Sequence, residues 1–162
     1  MVAHILQGLM YPFLFLSMYF QLLLLISFFE NRKKIKDEES ISIKEYKTVT
    51  IAVPCWNEEK TLPATLDSLL ALDYPKDKLS IVIVDDGSKD NTFAIAQVYA
   101  EKHGDCISVI QKENGGKHTA VNLALSRSTS EFFGCLDADS FVDKKALRTI
   151  IAYFEHHTEA MA

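Results

Sequence analysis

No aspartate, glutamate, lysine or arginine occurs from Ile5 to Phe29; every one of them lies from Glu30 onward. That gap divides the 162-residue chain into two unlike pieces, so its near-neutral mean hydropathy describes neither of them. Cysteine is scarce: Cys55, Cys106 and Cys135 are odd in number and lack metal-ligand spacing, and they are expected as buried, reduced core residues. Neither a Gly-x-x-x-x-Gly-Lys-Ser/Thr loop nor Gly-x-Gly-x-x-Gly occurs, which disfavours P-loop hydrolases and dinucleotide dehydrogenases. There is no excess of basic residues. The formal net charge of −5 speaks against a nucleic-acid partner and by itself poorly suits a phosphate ligand, a mismatch that a bound cation would resolve. His156 and His157 are adjacent near the end of an expected helix, where a solvated face suits them better than a metal site.

What stands in the uncharged stretch is a run of Leu, Phe, Met and Tyr. At about 1.5 Å of rise per residue it exceeds the roughly 30 Å hydrocarbon core of a bilayer. A cleaved signal peptide would want a basic start, a shorter apolar region and a small-residue cleavage site. This chain starts Met-Val-Ala-His, and its apolar run ends in Phe28, Phe29 and Glu30. A buried core helix is usually shorter. Residues 1–30 are therefore expected to form one transmembrane helix. Arg32, Lys33, Lys34 and Lys36 follow it at once while no Lys or Arg precedes it, so the remainder is expected on the cytoplasmic side of a cell membrane.

Residues 31–48 are charged and lack sustained apolar periodicity, which predicts a juxtamembrane linker. From residue 49 to 162 the pattern is that of an α/β domain. Apolar runs at Val49–Val53, Leu79–Val84, Ile107–Ile110 and Phe132–Leu136 are continuous rather than alternating, as in strands buried on both faces of a parallel sheet. Between them Leu62, Leu66, Leu69 and Leu70 form a helical stripe. Ile95, Val98 and Tyr99 follow Asn91 or Thr92 as N-cap and precede Gly104 as a stop; Val121, Ala124 and Leu125 mark a third helix. A fourth begins near Asp143 and carries Leu147, Ile150, Ile151 and Phe154. Four β-α units in succession predict an open parallel sheet.

Each strand is followed directly by a polar cluster: Pro54 to Glu59, Asp85 to Ser88, Glu113 to Lys117, and Asp137 to Ser140. In a parallel sheet these gather at the carboxyl edge, where open α/β sheets bind ligands. Asp137 and Asp139 flank one small residue, an arrangement that brings two carboxylates to one hard cation completed by waters and substrate phosphates. Turn and cap chemistry is the competing account of the pair. Asp85 and Asp86 suit a tight turn, or a carboxylate accepting the imide N–H of a uracil-type base. Trp56, the single tryptophan, lies in a polar loop, where it can pack on the core or stack on a base or ribose. Gly115 and Gly116 turn the chain, and Lys117 after them is placed to meet a phosphate at a helix N-terminus.

These motifs, Ala52-Val-Pro-Cys-Trp-Asn-Glu-Glu59, Ile83-Val-Asp-Asp-Gly-Ser88, Asn114-Gly-Gly-Lys117 with Asn122, and Asp137-Ala-Asp139, resemble those of family 2 glycosyltransferases in order and spacing, over about residues 49 to 155. The resemblance implies a GT-A fold, Rossmann-like with an open parallel sheet, of which this chain carries the nucleotide-binding half. It implies an inverting enzyme with a nucleotide-sugar donor, commonly a UDP-sugar, a glycan or lipid acceptor, and Mg²⁺ or Mn²⁺. Carried over by position, Pro54 and Trp56 line the uracil pocket, with Glu58 of the same motif among the donor-binding residues. Asp86, with Asp85 beside it, contacts the base, and Lys117 meets the diphosphate. Asp137 lies near ribose and metal, and Asp139 is the metal ligand. The Lys-bearing loop and the preceding span look more like polysaccharide synthases of the cellulose, hyaluronan and poly-N-acetylglucosamine kinds than like dolichol-phosphate sugar transferases.

The family's general base and its acceptor-binding Gln-x-x-Arg-Trp motif lie well downstream, so the base is expected beyond Ala162 and is assigned to no residue here. The alternative is a non-catalytic module, either a sensor of nucleotide sugars or a receiver-like phospho-acceptor. A receiver should carry its acidic pair after the first strand, and here the pair follows the second.

Overall fold

The computed structural model describes residues 2–38 and 43–156. The chain falls into two compact units, Met1–Ile41 and Ser42–Ala162. The first is a single helix, α1, at Val2–Glu38. Its apolar window Tyr11–Glu30 is 20 residues, none buried by protein, long and apolar enough to cross a bilayer. The helix continues eight residues into the stretch expected as linker. Lys and Arg are good helix formers. His157, which the sequence places on a solvated face, lies outside the described residues; His156 is exposed.

In the second unit β1 (Val49–Cys55), β2 (Leu79–Asp85), β3 (Ile107–Gln111) and β4 (Phe132–Cys135) form one sheet in the order β3-β2-β1-β4. All neighbours are parallel. The connecting helices are α2 (Leu62–Leu70), α3 (Thr92–Lys102) and α4 (Lys117–Arg127), and α5 (Ala146–His156) follows β4. Residues 43–48, expected as linker, are strapped to this unit. The Glu155 carboxylate accepts the backbone N–H groups of Lys44 and Glu45 at 2.9 and 3.2 Å, and the Tyr74 hydroxyl donates to the Lys47 carbonyl at 2.7 Å.

Side chains alternate across a strand, and here the alternation separates two cores. Ile51 and Val53 of β1 with Ile81 and Ile83 of β2 pack under Leu62, Leu66 and Leu69 of α2, Ala96 of α3, and Leu147 and Ile151 of α5. On the other face Ala52, Val82 and Val84 meet Ala120 and Ala124 of α4. Burial on both faces, expected of all four strands, holds for β1 and β2; β3 and β4 are the sheet's edges and are only partly covered. Cys135, at the end of β4, is consequently exposed rather than buried, whereas Cys55 and Cys106 are buried. Val98, Leu125 and Ile150, which mark the helical pattern in the sequence, are also exposed. In α4 the small residues Ala120 and Ala124 take the inward face, because the helix lies over Ala52 and has room for little else.

The N-terminus of α3 differs from expectation too. Asn91 occupies the cap position without a side-chain cap bond. Asp90 supplies it instead: Oδ1 accepts from the Thr92 N–H at 3.0 Å and its hydroxyl at 2.5 Å, and Oδ2 from the Glu59 N–H at 3.2 Å. Asp90→Ala is expected to lower stability by about 0.5–2 kcal/mol, and Asn91→Ala by clearly less. Urea denaturation followed by Trp56 fluorescence checks the order, and the reverse order would remove the cap from Asp90.

Candidate functional site

Pairing of Cys55 with Asp85 and of Asp85 with Gln111 brings the carboxyl ends of β1, β2 and β3 level, whereas β4 ends at Cys135 opposite Ala52, three residues short of the end of β1. The chain steps outward from β1 to β3 and then returns to the far side of β1 as β4, so successive connections diverge above β1 and leave a crevice. A cavity of 460 Å³ opens there. Pro54, Trp56 and Glu58 reach it from β1, Asp86 from β2, Lys117 from the start of α4, and Asp137 and Asp139 from the end of β4.

Asp86 organises the loop opposite it. Its side chain is almost wholly buried. Oδ1 accepts from the Lys112 ammonium and from the Gly115 N–H at 3.0 Å, and Oδ2 accepts from the Gly116 N–H at 2.7 Å. Burial pushes this carboxyl's pKa up, but the Lys112 bond and the two glycine N–H groups outweigh it and hold it below the ordinary carboxylate value. A carboxylate offers about four lone-pair sites. Three are taken, which leaves one on Oδ2. Gly116 has φ +88°, and Gly87, φ +73°, lies so close to Asn114 that an added Cβ would sit 3.0 Å from its backbone nitrogen. Both conformations suit glycine and neither suits a larger residue.

Asp85 does not line the cavity. It is fully buried, accepting from Gln111 Nε2 at 3.0 Å and, at 3.4 Å, from the Ser88 N–H. Beside it the Cys55 thiol donates to the Val84 carbonyl at 3.5 Å, and burial followed by the Asp85 charge pushes its pKa up to about 12. Protonated at neutral pH, it is no nucleophile. Lys112 is the residue that sequence reading missed. Its signal was present, a lysine one residue past β3 at the carboxyl edge, but nothing in the sequence pairs it with Asp86. Asn114 also lines the cavity.

In Asp137-Ala-Asp139 the middle residue is buried and its carbonyl accepts the Thr65 hydroxyl of α2 at 2.8 Å. With Ala138 so anchored, both carboxylates remain exposed at the cavity. Lys117 bonds Asp137 at 2.5 Å, which raises the lysine pKa. Among the described residues no group of three or more His, Cys, Asp or Glu is arranged to hold a metal. Two adjacent hard-oxygen carboxylates nevertheless fit Mg²⁺ or Mn²⁺ where a ligand and waters complete the shell.

Residues 50–162 match the family described as Glycosyl transferase family 2. The chain is 35% identical over 150 residues to a poly-beta-1,6-N-acetyl-D-glucosamine synthase of Staphylococcus aureus, covering 91% of this chain and 35% of that one. Among solved structures it is similar to the mannosyltransferase PcManGT from Pyrobaculum calidifontis in complex with GDP-Man and Mn²⁺, with a TM-score of 0.67 and 31% identity, covering 71% of this chain and 34% of the other. It is likewise similar to S. aureus TarS 1-349 in complex with UDP-GlcNAc, with a TM-score of 0.61 and 31% identity over 68% of this chain and 32% of that one. The open parallel sheet is thus the GT-A arrangement that the motifs imply. The chain spans about a third of the length of the curated relatives it matches.

Asp86→Asn is expected to destabilise the second unit by about 1–3 kcal/mol, since an amide cannot satisfy three donors as the carboxylate does, and to speed hydrogen exchange at Gly115 and Gly116. The native pKa of Asp86 lies below its unfolded value, so its contribution is complete above the unfolded pKa of about 3.9 and is lost as pH falls through the native one. Urea melts of both proteins at pH 7 and pH 3 should differ at the first and converge towards the second; a gap independent of pH would show that the charge is not what holds the loop.

Proposed function

Since the chain belongs to glycosyltransferase family 2, we propose that its cavity binds a UDP-sugar together with Mg²⁺ or Mn²⁺, as the donor side of an inverting transfer to a glycan or lipid acceptor. One observation carries this reading: an exposed aromatic, a carboxylate with one free acceptor site, a lysine and two metal-type carboxylates all open on one 460 Å³ space. Trp56 offers its ring face to the base, and the remaining acceptor position of Asp86 suits the imide N–H of uracil. Lys117 leaves Asp137 to meet the diphosphate. Asp137 and Asp139 would hold the cation, which when bound offsets the charge on the diphosphate as the sugar leaves. The TarS complex with UDP-GlcNAc supports a UDP-sugar, and with the N-acetylglucosamine polymer made by the synthase it makes UDP-N-acetylglucosamine the first donor to test. The Mn²⁺ complex of the mannosyltransferase supports the metal. The reading places the cavity on the cytoplasmic side of a cell membrane, where Arg32 to Lys36 favour its retention.

Calorimetry on the full chain in detergent tests the donor and the metal. UDP-N-acetylglucosamine is expected to bind with Mn²⁺ present, more tightly than GDP-mannose, and at least about tenfold more weakly in chelator, a loss equivalent to about 1.4 kcal/mol. Asp139→Asn should lose the metal-dependent part. Asp143→Asn should not, because that carboxylate accepts the Lys145 N–H at the start of α5. Affinity unchanged by chelator would sink the metal role, and equal loss in the two variants would move the metal from Asp139.

A further inference from the structure

Two of the four loops at the carboxyl edge are joined far more closely than a shared rim requires. Asn57 N–H donates to Ser88 Oγ at 2.9 Å, and Lys89 N–H donates back to Asn57 Oδ1 at 2.8 Å. Glu58 N–H donates to Thr92 Oγ1 at 2.7 Å. The backbone and side-chain N–H groups of Asn91 both donate to Glu59 Oε2, at 3.1 and 3.0 Å. With the Asp90 bond to the Glu59 N–H, every backbone N–H from residue 57 to 59 is held by a side chain of the next loop or of the first residue of α3. Asn57 has φ +57°, the one positive value at a residue other than glycine among the described residues. Asparagine is among the few side chains that visit this region readily.

The residue just before this left-handed turn is Trp56, more than half exposed at 54%. A ring so exposed has little packing to fix its direction, so the direction comes from the backbone that carries it. We propose that Asn57 is a positioning residue: its left-handed turn, locked to Ser88 and Lys89, aims the Trp56 ring into the cavity and makes the β1 and β2 loops one rigid wall. Aligning the ring beforehand removes an ordering cost from ligand binding. The proposal rests on the cavity being a uridine-nucleotide site, and its primary readout needs no ligand.

Trp56 is the single tryptophan, so its fluorescence anisotropy and acrylamide quenching report this wall alone. The full chain in detergent is compared with Asn57→Ala and Asn57→Gly, first without ligand and then titrated with UDP and Mn²⁺. Asn57→Ala, which resists the left-handed turn and loses the Lys89 bond, is expected to show a more mobile, more quenchable tryptophan and UDP binding weaker by a factor on the order of ten. Asn57→Gly restores the turn but not the bond, and should fall between alanine and wild type. An alanine variant with wild-type anisotropy, or a glycine variant no better than alanine, overturns the proposal. If Asn57→Ala does not fold, Ser88→Ala, which removes the acceptor of the Asn57 N–H, carries the test with the same two readouts. Failure of the wild type to bind UDP would count against the cavity's assignment, while anisotropy alone still decides the role of Asn57.

Discussion

A buried carboxylate must be paired or neutralised, and the pairing of Asp86 sets the shape of this site. Its partners come from one short stretch, the ammonium of Lys112 and the N–H groups of Gly115 and Gly116. That stretch leads directly into α4, so one charge just past the end of β2 fixes where Lys117 starts its helix. The backbone bonds Asp86 N–H to the Cys55 carbonyl and Lys112 N–H to the Asp85 carbonyl tie the same residues to the strand ends. Ladder register and buried charge therefore specify the same loop geometry, and the consistency of the two levels makes the arrangement well determined.

Much of this was legible in the residues. Apolar runs located all four strands, and in β1 and β2, covered on both faces, only Thr50 and Ser80 interrupt the run before its polar end. The polar clusters located the crevice, since parallel strands place all their carboxyl ends on one side. The sequence was less informative where an outcome depended on depth. Asp85 and Asp86 are adjacent acids, yet the turn after β2 sends the first under the floor to Gln111 and keeps the second at the cavity. Lys112 was passed over because a lone lysine beside a strand reads as solvent-exposed. Val98 and Leu125 were overvalued because hydropathy favours large side chains, whereas helices lying close to a sheet put alanine inward.

The cavity's charge balance bears on both the donor and the metal. Glu58, Asp86, Asp137 and Asp139 face it against Lys117 alone, with Lys112 committed to Asp86 behind. A diphosphate entering that field would be repelled without added positive charge. In the structure Lys117 neutralises Asp137, which leaves the carboxylate pair with less attraction for a lone cation. Electrostatics of this kind favour entry of a cation and an anion together over entry of either one.

The outer strand β4 has a bearing on how such a chain behaves in quantity. Among the described residues its four residues pair with β1 on one side only. Bare backbone at a sheet margin is a template on which a second copy can add a strand. A net charge of −5 adds mutual repulsion between copies, and dissolved salt screens that repulsion within a distance of about 8 Å at physiological strength. Raising the ionic strength should therefore weaken the charge repulsion that opposes edge-to-edge pairing at β4.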